Sequence, residues 1–239
     1  MRSVKASAAY QRARRSWYAL LEQRPAAYSA YQRRRQRSVT VVDRQTDLVI
    51  EGRPGCANSF AREAILLVNP QLRVASHLHS PAQVLEGLRL GKPVVVLIRR
   101  PSDAIVSEAS RFDDIDLRDE LNSFVRFYDR LLPRAEETVV ATFERVTSRF
   151  GDVVKAVNAH FGTSFESFPD DDPSSRERVF AKLVEYNRAV GIGEGRAAVP
   201  GQARDERAAQ VRSMLADPEL ATLMGRAEEI YLRFTAFER

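Results

Sequence analysis

Four short apolar runs, each followed by a helical stretch, constrain this chain more than any other feature. Asp47-Leu48-Val49-Ile50-Glu51, Arg73-Val74-Ala75-Ser76, Pro93 to Ile98 (PVVVLI) and Thr138-Val139-Val140-Ala141-Thr142 are strand candidates rich in β-branched and apolar residues. They lack the strict apolar-polar alternation of a sheet with one wet face. Between them, Ser59 to Val68 is amphipathic and ends at Asn69-Pro70, Pro81 to Leu90 stops at Gly91, and helical patterns follow at 101 to 111 and 117 to 132. After the fourth run the chain reads as helix, apart from a Gly- and Pro-containing loop at 191 to 201. This order predicts an α/β fold: a P-loop-like parallel sheet of four to five strands, flanked by helices, with a helical C-terminal third. A length of 239 residues with 44% apolar side chains suits one core.

Charge divides the chain in two. Residues 1 to 38 hold ten Lys or Arg against Glu22 alone, so the net charge of +5 belongs to this arm and the rest is net acidic. Residues 1 to 38 are therefore expected to form a basic helical arm broken at Pro25, and 39 to 239 the α/β domain. Tyr10, Trp17, Tyr18, Tyr28 and Tyr31 interleave the arginines, a composition that suits an anionic membrane surface or nucleic acid. A helix that packs its aromatics on the body and solvates its arginines has the same composition, and this plainer reading is preferred. On either reading, removing residues 1 to 38 is expected to leave a folded body. No window has the length of apolar sequence a membrane span needs, and the expected compartment is the cytoplasm. One cysteine and three histidines exclude a disulfide framework and leave little for a zinc site. The acidic groups Asp113, Asp114, Asp116 and Asp170 to Asp172 read as solvated loops, so no metal is expected.

Chemistry gathers where strands end. Gly52-Arg53-Pro54-Gly55-Cys56-Ala57-Asn58-Ser59 joins the first strand to its helix, the layout of a loop whose N–H groups cradle an anion. Against the pattern GxxxxGK[ST] it keeps Gly52 and Ser59 but has Ala57 and Asn58 in place of the second glycine and the lysine. An ordinary ATPase or kinase is thereby disfavoured. The same segment spaces Cys56 and Arg62 as cysteine-dependent phosphatases do, with a thiolate nucleophile and an arginine clasp. After the third strand, Arg99 and Ser107 form a second candidate phosphate clamp. His77 follows the second strand, so the parallel sheet puts it on the carboxyl edge beside the loop and Arg99. That position makes His77 the preferred general base, with His79 as its rival.

These residues resemble the sulfotransferases that use 3′-phosphoadenosine 5′-phosphosulfate, over residues 47 to about 165. Pro54-Gly55-Cys56-Ala57-Asn58-Ser59-Phe60 is similar to that family's PKSGTTW or PRSANTF loop. Arg99, Pro101, Asp103 and Ser107 match every fixed position of its 3′-phosphate motif RxPxDxxxS. Ser76-His77-Leu78 resembles its THL segment, and Thr142-Phe143-Glu144 its YED. The resemblance implies sulfuryl transfer to a hydroxyl or amine of a small-molecule or carbohydrate acceptor, with His77 as base. Gly55, Cys56, Ala57, Asn58, Ser59 and Phe60 would hold the 5′-phosphosulfate and adenine, and Arg99 and Ser107 the 3′-phosphate. A late basic segment, here Arg204 and Arg207, would close over the nucleotide. Gly55 departs from the family's Lys or Arg, so Arg53 is the expected substitute cation, and a lysine at 55 is expected to restore a missing one. Two alternatives stand beside this reading: a phosphatase using Cys56 and Arg62, and a sulfotransferase-like body that binds without catalysis.

Overall fold

The computed structural model describes residues 22–35, 40–111, 115–189 and 202–239. Four strands, β1 (Leu48–Gly52), β2 (Val74–Ser76), β3 (Val94–Ile98) and β4 (Val139–Thr142), form one parallel sheet in the order β2-β1-β3-β4. Every residue of β1, β2 and β3 is buried, as the uninterrupted apolar runs require. The helices are α1 (Pro25–Arg35), α2 (Asn58–Val68), α3 (Pro81–Arg89), α4 (Pro101–Ala109), α5 (Leu117–Leu131), α6 (Phe143–Ser148), α7 (Phe150–Phe161), α8 (Pro173–Ala189), α9 (Gln202–Leu215) and α10 (Ala221–Thr235). The expected α/β class, parallel sheet and helical C-terminal third are all present. The expected loop at 191 to 201 lies outside the described residues.

Connectivity fixes where a ligand can sit. The chain leaves β1 towards β2 through α2, then passes back across β1 to β3 through α3. The reversal makes the carboxyl ends of β1 and β3 the topological switch point, the place where open α/β sheets bind ligands. Gly52 ends β1 there because a Cβ would lie 2.4 Å from the Leu97 carbonyl oxygen. The C-terminus closes the far edge. Glu238 pairs with Val140 as a parallel bridge, and its carboxylate accepts hydrogen bonds from the Thr142 N–H (2.8 Å) and hydroxyl (2.7 Å).

Polar residues that read as loop decoration are helix caps. Asp116 accepts from the N–H groups of Arg118 and Asp119 and caps α5, and Asp172 accepts from Ser174 at the start of α8. Asp113 and Asp114 lie outside the described residues. No helix among the described residues is long and apolar enough to cross a membrane.

The described part of the arm is docked. Helix α1 lies against α3 with Tyr28, Ser29 and Gln32 buried. Arg33 donates to the Val42 carbonyl oxygen (2.7 Å). Glu22, the arm's one carboxylate, accepts from the Ser80 hydroxyl that caps α3 (2.7 Å), while its backbone oxygen accepts from Arg130 (2.8 Å). Residues 22–35 therefore pack on the body through Tyr28, Ser29 and Gln32 and through the bonds of Glu22 and Arg33. Tyr28 is only 5% exposed, so Tyr28→Ala should cost on the order of 3 kcal/mol. A chain beginning at residue 39 should melt at lower temperature than the full chain. Urea and thermal denaturation measure both, and unchanged midpoints would show α1 to be an accessory.

Candidate functional site

The loop after β1 turns tightly because two residues adopt left-handed backbone. Gly55 has φ +83° and Ala57, at the head of α2, φ +67°. A Cβ at Gly55 would lie 2.6 Å from the Ala104 carbonyl oxygen and 3.2 Å from Ser107 Cβ. Gly55 is thus the point where the loop presses on α4, and a lysine there would strain the loop instead of restoring a cation. No side chain caps α2, so the first-turn N–H groups of Asn58, Ser59 and Phe60 have no intrahelical acceptor. Asn58 Nδ2 donates to the Arg53 carbonyl oxygen (3.0 Å), whereas its buried Oδ1 has no hydrogen-bond partner.

Tyr128, which the sequence reading missed, anchors this loop from α5. Its hydroxyl donates to the Leu97 carbonyl oxygen (2.7 Å) and accepts from the Arg53 N–H (3.3 Å). Cys56 Sγ lies 3.5 Å from the same oxygen. With the tyrosine proton committed to Leu97, the thiol is the donor in that contact. Burial pushes the Cys56 thiol up to about 11, against smaller opposing effects from Tyr128 and Arg99. Cys56 is fully buried, and Arg62 pairs with the adjacent Glu63. A thiolate nucleophile with an arginine clasp finds no support in this arrangement.

On the other side of the loop, Ser59 Oγ is 3.0 Å from His77 Nε2, and Ser76 Oγ is 2.8 Å from His77 Nδ1. In the tautomer that carries its proton on Nδ1, that proton is donated to Ser76 and Nε2 accepts from Ser59. Burial, reinforced by Arg62 and Arg111, lowers His77 to about 4, so the imidazole is neutral at physiological pH. His79 is placed differently: its Nδ1 bonds the Gly52 carbonyl oxygen (2.8 Å), and burial lowers it to about 3. His77 meets Ser59 at the head of α2; His79 braces the end of β1.

Arg99 lies across the loop's outer wall. Its guanidinium carbon is 3.7 Å from the centroid of the Phe143 ring and Nη1 donates to the Gly55 carbonyl oxygen (3.2 Å). Its buried Nε has no hydrogen-bond partner. Ser107 lies on α4 beside Gly55. Arg207 belongs to α9, which packs on α4; the side chain of Arg204 lies outside the described residues. Phe60 is 6% exposed and packs edge-on against Phe150 and Phe168, with Phe180 tilted against it. Arg53 pairs with Glu120 on α5, Nη2 to Oε2 at 2.6 Å. Beside that pair is Glu108, its carboxyl raised to about 7 by burial and by repulsion from Glu120.

The structure thus sets Ser59 against His77 and Arg99 against Gly55, both at the loop after β1, and leaves Cys56 and Phe60 buried in the core. No family model matches the chain, and no curated protein matches it. Among solved structures, mouse sulfotransferase SULT7A1 complexed with PAP is similar, with 13% sequence identity and a TM-score of 0.42, over 80% of this chain and 90% of that chain.

The buried ionisable groups give stability an unusual pH dependence. Folding keeps His77 and His79 neutral well below the 6.5 of a free imidazole, so their contribution rises with pH up to about 6.5. Glu51, raised to about 8, and Glu108 act in the opposite sense. The folded chain holds their protons where the unfolded chain has released them near 4.5, and stability falls as pH rises from there. Above pH 6.5 only the carboxyls remain, so the melting temperature should drop between pH 6.5 and 8. Glu108→Gln should flatten that drop in a thermal-melt series, and an unchanged slope would remove Glu108 as a source.

Proposed function

We propose that the chain is a sulfotransferase that takes its sulfuryl group from 3′-phosphoadenosine 5′-phosphosulfate and delivers it to a hydroxyl or amine of a small molecule or carbohydrate. The Ser59–His77 hydrogen bond carries this reading, because it sets a neutral imidazole one hydroxyl away from an anion-binding loop. Support also comes from the unpartnered Nε of Arg99 and the uncapped head of α2, donors suited to phosphate oxygens. Bound there, the donor offers a sulfuryl group on a phosphate leaving group. His77 Nε2 removes the acceptor proton, while Ser76 fixes the tautomer. Ser59 and the first-turn N–H groups of Asn58, Ser59 and Phe60 steady the phosphosulfate, the Cys56 N–H being committed to the Arg53 carbonyl oxygen, and Arg99 with Ser107 holds the 3′-phosphate. An imidazole at about 4 is a weak base; the polyanion offsets the repulsion from Arg62 and Arg111 and so favours its protonation.

His77→Ala should abolish transfer, a loss of about 10²- to 10⁴-fold, while calorimetric binding of adenosine 3′,5′-bisphosphate stays near wild type. Arg99→Ala should weaken that binding at least tenfold, as loss of a charge-assisted contact implies, and leave an analogue without the 3′-phosphate hardly affected. Equal losses for both ligands would make Arg99 structural. Transfer that survives in His77→Ala but not in His79→Ala would reassign the base.

The second reading, a body that binds the nucleotide without transfer, draws on Gly55 and on the commitment of Arg53 to Glu120. For Arg53 to meet charge on the leaving oxygen, its guanidinium must exchange Glu120 for the phosphate. Arg53→Ala should then lower kcat about 10²-fold, as removal of one donor to a developing oxyanion does. Bisphosphate binding with no release of sulfate or sulfated product from either protein would favour the binding body.

A further inference from the structure

Glu51 is the penultimate residue of β1 and has no exposed surface. Its Oε1 accepts from the Leu78 N–H (2.8 Å) and from Gln83 Nε2 (2.7 Å), and its Oε2 from the His79 N–H (3.0 Å). Gln83 in turn accepts from the Val42 N–H (3.0 Å). The described hydrogen-bond partners of this carboxyl are all neutral N–H groups. A buried carboxyl held without a cation is costly, and burial raises it to about 8 although its donors pull the other way.

The segment it grips is strained. His77 has φ +64° and His79 φ +50°, left-handed backbone that is sterically costly for a non-glycine residue. Such a conformation persists only where its surroundings over-determine it. Two successive N–H groups, those of Leu78 and His79, point at one side chain with two acceptor oxygens. An amide at position 51 has only one acceptor oxygen and would set an NH₂ against the other N–H.

We propose that Glu51 is the positioning residue for His77: its carboxyl group holds the two N–H groups after His77 and thereby fixes the left-handed turn that places Nε2 beside Ser59. The catalytic consequence rests on His77 being the base, whereas the geometric one does not. Glu51 touches no substrate; it acts through the backbone that carries the imidazole. Three neighbouring elements share the clamp: β1 supplies the carboxyl, α3 supplies Gln83, and the segment at Val42 closes the chain of bonds.

The test follows the His77 imidazole by NMR titration in the full chain and in Glu51→Gln. In folded Glu51→Gln the His77 pKa should rise by at least one unit from about 4 towards 6.5, and contacts between His77 and Ser59 should weaken. Transfer should lose about 10²-fold in kcat, the scale of a misplaced catalytic group, with little change in KM for the donor. Glu51→Asp, which keeps two oxygens on a shorter stem, should recover part of both. A folded Glu51→Gln chain whose His77 titrates as in wild type overturns the proposal. If the unaltered protein transfers no sulfuryl group, the sulfotransferase reading fails, and the imidazole titration alone decides the role of Glu51. If Glu51→Gln does not fold, amide exchange in the unaltered protein decides: Leu78 and His79 must exchange far more slowly than exposed amides, and fast exchange at either overturns the clamp.

Discussion

One buried hydroxyl, that of Tyr128, holds the loop after β1 to the sheet. The loop must leave β1, turn twice through left-handed backbone and still deliver the head of α2 to a fixed place. Backbone donors and acceptors in such a turn lack ladder partners and must find others. Tyr128 satisfies two at once, the Arg53 N–H and the Leu97 oxygen, and takes the Cys56 thiol as a third neighbour. Its ring is packed among Phe124, Phe127 and Phe234, so α5 and α10 rigidify the hydroxyl and, through it, the loop. Glu51 does the same work on the opposite side of β1 for the His77 segment. The candidate site therefore rests on two loops, each pinned by one buried polar side chain.

The fold was legible because its signals are local. An apolar run in a parallel sheet is buried on both faces, so composition alone marks β1, β3 and β4, and Pro81 and Pro101 mark helix starts that the structure places at the same residues. Arg99 and His77 were legible for the same reason, since each directly follows a strand and strand ends share one edge. Tyr128, Glu120 and the Glu51 contacts were not, because they depend on packing between distant segments: Tyr128 meets a loop 75 residues earlier and Glu120 meets Arg53 across 67. One signal was available. A glutamate inside the run Leu48-Val49-Ile50-Glu51-Gly52 sits where a fully buried strand tolerates no charge without partners.

Motif alignment also misjudged what a position is for. By comparison with PKSGTTW, Gly55 looks like a lost cation, which makes replacement by lysine look like a repair. The coordinates give the position a steric role instead: its left-handed φ and the nearness of the Ala104 oxygen exclude any side chain. Phe60 likewise aligns with an aromatic slot beside adenine, yet it is spent mainly on packing α2 against α7 and the Phe168 segment. Sequence position identifies a residue's neighbours along the chain, but its duty depends on which atoms lie opposite.

The electrostatics of the site run against those of the body around it. Beyond residue 38 the chain is net acidic, yet four carboxyls around the loop are either matched or held back from ionising. Glu120 answers Arg53, and Glu63 answers Arg62. Glu51 and Glu108 are buried and pushed towards their neutral forms. The imidazoles are neutral too, because burial and the cations around them oppose protonation. Beside this loop the first-turn N–H groups of α2 and the Nε of Arg99 remain unpartnered donors, in a domain whose overall charge is negative. On the proposed reading, a polyanion bound at this loop would offset Arg62 and Arg111 and make a proton on His77 less costly. Anion binding and the basicity of His77 would then be coupled through the same cations.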